Sequence, residues 1–172
     1  MSTNLQFIKS ASATGATSIS VTDCFTSNYD VYAITLSGFE NSSGSPSQLS
    51  LRFIDNSDSP ITNAQYDTAV LNGRSDSSFV EYNNTNQTDS EFFGQVDYPP
   101  ESTSAYLNIF NPNSTSSYTF FNVQTSSAVS GVLYGYKGIG VLTETTEVTG
   151  IQFLGHTTYT FDEGVVSVYG VK

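Results

Sequence analysis

The spacing of the apolar residues restricts this chain to extended strands. Leu49, Leu51 and Phe53 alternate with Ser50, Arg52 and Ile54, and Ala105, Leu107 and Ile109 alternate with Tyr106, Asn108 and Phe110. A repeat of two puts each set of side chains on its own side of a strand. No window of helical length keeps a 3.6-residue repeat, and no capping box precedes an apolar stripe, so no long helix is expected.

Residues 29–37 form a run of β-branched and aromatic side chains bounded by turn formers, the composition of a strand. Residues 117–125, 148–154 and 165–171 read in the same way, and 5–10, 18–21, 65–71, 79–82 and 133–141 are less regular strands. Clusters of Ser, Asn, Gly and Pro separate the runs at 40–47, 55–62, 83–89 and 111–117. Asn72-Gly73 has the composition of a type I′ hairpin turn. The glycines of 131–140 alternate with Tyr134, Tyr136 and Ile139, which predicts a tightly packed or bulged strand. Residues 75–100 are the least patterned.

About ten short strands separated by turns predict an all-β protein, an antiparallel two-sheet sandwich. A jelly roll is the favoured topology and a closed barrel the alternative. In the last run Val166 and Val168 share one side while Val165, Ser167 and Tyr169 share the other, so this strand is expected inside a sheet. A chain of 172 residues can bury one core, and residues 1–172 are expected to form a single domain.

Charge narrows the function. Sixteen Asp+Glu against five Lys+Arg give a net charge of −11 with no basic cluster, which repels phosphate backbones, so no nucleic-acid partner is expected. No apolar run approaches the roughly 20 residues of a membrane span. The opening Met1-Ser2-Thr3-Asn4-Leu5 has neither the basic nor the apolar segment of a secretory signal, so no membrane insertion and no export are expected. The single cysteine, Cys24, excludes an internal disulfide and a thiolate-rich zinc site, and reads as a small core residue.

The candidates for chemistry each have a plainer reading. Glu144 and Glu147 could act as paired carboxylates, but their stretch offers no apolar shield to separate two pKa values, and solvated loop acids are the plainer reading. His156 lacks a Gly-x-Ser-x-Gly elbow elsewhere in the chain and reads as a loop or strand-edge residue, or as a titratable subunit contact. Asp55-Asn56-Ser57-Asp58-Ser59 and Asp162-Glu163 offer hard oxygen ligands for a divalent ion, whereas ordinary Asx turns explain the same residues, so a metal site stays open. N-glycosylation sequons at Asn41, Asn83, Asn86 and Asn113 go unused without export. No catalytic residue and no cofactor are expected.

Tyr66, Tyr82, Tyr98, Tyr106, Tyr118, Tyr134, Tyr136, Tyr159 and Tyr169 exceed what one core needs, since a buried Tyr requires a hydroxyl partner. They suit contacts between subunits or, as the competing use, stacking on carbohydrate.

Three segments carry a resemblance. They are Tyr29-Asp30-Val31-Tyr32 leading to Gly38-Phe39; Leu51-Arg52-Phe53 followed by Tyr66-Asp67-Thr68-Ala69; and Thr149-Gly150-Ile151-Gln152-Phe153, Thr160-Phe161 and the final Gly164-Val165-Val166-Ser167-Val168-Tyr169-Gly170-Val171-Lys172. Together they resemble small β-sandwich virion proteins of tailed bacteriophages, especially marine and cyanobacterial ones. The resemblance implies a non-enzymatic structural protein on the particle surface, a capsid decoration (cement) protein or a tail or fibre component. It implies a homo-oligomer, a trimer for instance, and contact with other virion proteins such as the major capsid protein or tail proteins. The chain would be made in the host cytoplasm and end in the virion. The alternative is a carbohydrate-binding β-sandwich module, a receptor-binding fibre head that meets a host-surface glycan.

Overall fold

The computed structural model describes residues 4–42, 46–91, 93–155 and 160–172. They form twelve strands: β1 (Leu5–Ser12), β2 (Ser18–Val21), β3 (Val31–Asn41), β4 (Ser47–Asp55), β5 (Tyr66–Arg74), β6 (Val80–Gln87), β7 (Gln95–Val96), β8 (Thr103–Phe110), β9 (Thr119–Val129), β10 (Val132–Leu142), β11 (Val148–Gly155) and β12 (Phe161–Val171). Every pairing is antiparallel, and among the described residues there is no α-helix. One sheet has eight strands in the order β1-β12-β3-β8-β9-β10-β5-β6, and the other has four in the order β2-β11-β4-β7.

With β5, β6, β9 and β10 set aside, the remaining strands pair first with last. Thus β1 pairs with β12, β2 with β11, β3 with β8 and β4 with β7. The contacts β12–β3 and β11–β4 join these pairs into two layers. This nesting is a jelly roll. The two further hairpins, β5–β6 and β9–β10, both add to the β8 edge and widen one layer from four strands to eight.

The alternation read from the sequence decides which side chains enter the core. In β8, Ala105, Leu107 and Ile109 are buried, while Tyr106 points outward. In β12, Val166 and Val168 are fully buried, and Tyr169 lies outside against Phe7, with ring centroids 5.8 Å apart. As expected, β12 is an internal strand, flanked by β1 and β3. β3 is buried along most of its length because it is internal to its layer, and it bulges between Leu36 and Phe39, where Gly38 has φ 64°.

Two expectations need correction, and a third is narrowed to one of its alternatives. Asn72-Gly73 is not a turn: both residues lie within β5, paired with Tyr136 and Gly135. The two-residue turn is Ser130-Gly131, with φ 51° and 79°, the type I′ geometry that matches strand twist. Residues 83–87 extend β6 rather than ending it, because Asn83 and Asn84 continue the ladder with β5. The glycine-bearing β10 is packed and not bulged, since it keeps an unbroken register with both β9 and β5.

The inserted hairpins are locked to the frame by aromatic residues. Tyr66, at the start of β5, stacks on Phe53 of β4, and its hydroxyl accepts from Phe53 N (2.9 Å) and donates to Ile61 O (3.1 Å). Phe121 of β9 meets Phe53 edge-on at 6.2 Å. A Cβ at Gly140 of β10 would overlap the Phe121 ring. Residues 93–97 close the inner side, where Thr125 Oγ1 donates to Phe93 O (2.5 Å), Thr103 Oγ1 donates to Gln95 O, and Asn41 Nδ2 donates to Val96 O (2.9 Å).

Gly140→Val should therefore cost about 1–3 kcal/mol by overpacking, read as a lower melting temperature, with Gly135→Val, in open space, close to neutral. Equal melting of the two variants would refute this packing.

Candidate functional site

The outer side of the widened sheet carries surface depressions. Because β8, β9, β10 and β5 run there in unbroken cross-strand register, and β6 follows β5 from Val80 to Asn84 before the register shifts beside Asp67, outward side chains line up in rows. One row is Phe110, Phe120, Val141, Asp67; the next is Asn108, Asn122, Ile139, Ala69, Asn83; the third is Tyr106, Gln124, Lys137, Leu71, Glu81. Two adjoining depressions of about 770 and 450 Å³ follow these rows and share Ala69, Asn83, Asn122 and Ile139 as lining. They make one trough from β8 to β6.

Its floor carries an ordered polar relay. Tyr106 Oη donates to Asn108 Oδ1 (2.9 Å), and Asn108 Nδ2 donates to Asn122 Oδ1 (3.0 Å), which also accepts from Asn108 N (3.3 Å). Asn122 Nδ2 has no acceptor among the described residues. Along the trough Ile139 is 64 % exposed, Phe120 47 %, Tyr106 44 % and Leu71 42 %. Asp67 Oδ1 is occupied by Asn86 N (2.8 Å).

A second feature is an apolar corner where two turns meet. Phe79 lies over Gly73 with its Cε1 2.9 Å from where a Cβ would stand, and it shares a depression of about 370 Å³ with Leu133 and Gly135. Phe79 is 73 % exposed and Leu133 63 %. The corner is stiff: Ser75 N donates to Leu133 O and Leu133 N to Ser75 Oγ, both at 3.0 Å. Nearby, Glu101 clasps the Ser130-Gly131 turn, its two carboxylate oxygens each accepting a backbone N–H at 2.5 Å.

The residues singled out from the sequence are scattered. Glu147 is held by Asn113 Nδ2 (3.0 Å) and Asn56 Nδ2 (3.5 Å), whereas Glu144 Oε2 is shielded from water with no hydrogen-bond partner among the described residues. Asp55 Oδ1 accepts from Ser57 N (2.8 Å) and Ser59 N (3.0 Å), an Asx turn. Asp162 and Glu163 are exposed and lie within the bulged start of β12, not in a turn. Among the described residues no group of three or more His, Cys, Asp or Glu could hold a metal ion. His156 and Tyr159 lie outside the described residues.

Of the sequon asparagines, Asn41 is fully buried, Asn113 is engaged by Glu147, and Asn83 and Asn86 are exposed. The tyrosines do not form one patch. Tyr66 and Tyr136 are buried, Tyr98, Tyr106 and Tyr118 are exposed, and Tyr82, Tyr134 and Tyr169 are intermediate. Tyr134 stacks on Tyr136 at 6.3 Å and carries the Arg74 guanidinium 4.8 Å from its ring centre. Arg74 in turn makes two hydrogen bonds to Asp76, which hold that carboxyl below its ordinary range. The amide row of the trough went unread in the sequence. Its only signal was an Asn at an outward position of two neighbouring alternating strands.

Comparison with known proteins adds little. No family model and no curated protein matches the sequence. Among solved structures the chain is similar to the crystal structure of infectious bursal disease virus VP2 subviral particle at 10% identity and a TM-score of 0.14, over 97% of this chain and 41% of that one. The chain thus spans less than half of that protein's length, and at this score the likeness carries no argument.

Cys24 is fully buried, its Sγ donating to Val21 O at 3.2 Å, and burial pushes the thiol from its ordinary value near 9 up to about 12. A raised folded value means that stability is intact below pH 9 and is lost as pH rises from 9 towards 12, because only the unfolded thiol releases its proton there. Denaturation midpoints across this range should fall with pH, and less steeply in Cys24→Ala. An identical slope in both proteins would contradict the assignment.

Proposed function

We propose that the chain is a non-enzymatic structural protein of a bacteriophage virion, displayed on the particle surface as a capsid decoration protein or as a tail or fibre component. The observation that carries this reading is the stiff apolar corner at Phe79 and Leu133. Leu133 stands on a backbone hydrogen-bonded to Ser75 and Phe79 packs its ring over Gly73, so two large apolar side chains are exposed side by side, and clustered exposed apolar surface marks contact sites on folded proteins. The jelly roll is an architecture shared by viral capsid and lectin domains, which agrees with the role without deciding it.

Several further features support the reading. The strand signatures at 29–39, 51–69 and 149–172 resemble those of phage virion sandwiches. The net charge of −11 discourages adhesion to nucleic acid during assembly. Glu147 and Asp55, both weighed for chemistry, are consumed by hydrogen bonds within the fold. The partners that fit are further copies of the chain and a shell or tail protein with a complementary apolar surface.

Light scattering of the purified chain, together with sedimentation of virions carrying it, tests the proposal. A stable oligomer or a particle-bound population is expected, and Phe79→Ser with Leu133→Ser should release it without lowering the melting temperature. A chain that stays monomeric and never sediments with particles would refute the proposal.

A further inference from the structure

We infer that the trough on the outer side of the widened sheet is a binding site for a neutral oligosaccharide. Its polar lining includes five amides, Asn83, Asn84, Asn108, Asn122 and Gln124, against one Lys and no Arg. An Asn or Gln side chain offers a donor and an acceptor in one plane, which matches neighbouring sugar hydroxyls, whereas a site for an anion would be lined with Arg or Lys. Here Asn83, Gln124 and Asn122 Nδ2 have no side-chain partner among the described residues. The Tyr106–Asn108–Asn122 relay fixes the orientation of the floor before any ligand arrives. Amides held in place this way bind with little ordering cost.

The apolar groups complete the match. Tyr106 and Phe120 stand on neighbouring strands with their backbone positions about 14 Å apart by strand geometry, and Ile139 lies between them in the rows. Two exposed rings at that spacing can stack on the C–H sides of separate units of an extended sugar chain. A peptide is a poorer occupant. Of the five strands under the trough, β8, β9, β10 and β5 are paired on both sides, and β6 alone has an unpaired edge, which faces away from the other four, so most of the trough floor offers no free backbone for strand addition.

Charge limits the ligand further. Asp67 and Glu81 outnumber Lys137 in the trough, and the chain as a whole carries −11, so sulfated or phosphorylated glycans are repelled.

An array of neutral and anionic bacterial surface oligosaccharides, followed by amide-resolved NMR titration with the strongest neutral member, tests the inference. Neutral members should bind and anionic ones should not, and shifts should concentrate on β8, β9, β10, β5 and β6. Asn122→Ala and Tyr106→Ala should each weaken binding about five- to tenfold, the worth of one hydrogen bond or ring contact. Phe79→Ser, outside the trough, should leave it unchanged. A silent array, binding indifferent to both trough variants, preference for anionic members, release of shortened sugars, or a solution dimer that covers the trough would each overturn the inference. The apolar corner and its assembly test stand or fall separately.

Discussion

The interlock of Phe53, Tyr66 and Phe121 is the contact on which the distinctive part of this molecule depends. A jelly roll needs only its eight frame strands, and the inserted hairpins could in principle project into solvent. They do not, because Tyr66 reaches from the first inserted strand into the main core and satisfies its hydroxyl there twice, at Phe53 N and Ile61 O. A buried hydroxyl left unpaired would cost about 1–3 kcal/mol, so this position admits few alternative placements. Once Tyr66 is seated, β5 is registered against β10, and Gly140 then lets Phe121 fill the space between β9 and the frame. The continuous outer surface of the widened sheet follows from that register.

Much of the frame was legible because its strands bury one face and expose the other. The alternation in β8 and the Val166/Val168 pair of β12 state burial directly, whereas β4 also buries Ser50 and Ile54 from its other side. The failures have physical causes. β7 has two residues, too few for any period, and exists because Asn41, Thr103 and Ser47 hold it from outside. β6 carries Val80-Glu81-Tyr82-Asn83-Asn84-Thr85-Asn86-Gln87, whose polar composition suits an edge strand exposed to water on both sides but has the look of a loop. Asn72-Gly73 has turn chemistry, yet pairing on both sides of β5 overrides that preference.

The trough was less legible than the fold. Its rows cross five strands from two stretches of the chain, 66–87 and 103–142, and which residues stand opposite one another is set by register, a property no single segment encodes. Each contributing residue was visible, Tyr106 even as one of the surplus tyrosines, but not the company it keeps. The candidates that sequence reasoning did gather were neighbours along the chain. The fold uses them for turns and local ties, as with Asp55 at Ser57 and Ser59.

The few basic residues also sit in telling places. Lys9, Arg52 and Lys137 lie inside β1, β4 and β10, within hydrogen-bonded ladders, whereas Arg74 ends β5. A protease that cuts after Lys or Arg must draw several residues of extended chain into its cleft, and around the first three each such stretch is already committed to a neighbouring strand. Digestion at these three bonds then waits on opening of the sheets themselves. The rate at which such an enzyme nicks the protein becomes a gauge of sheet opening, in place of the usual report on loops and tails.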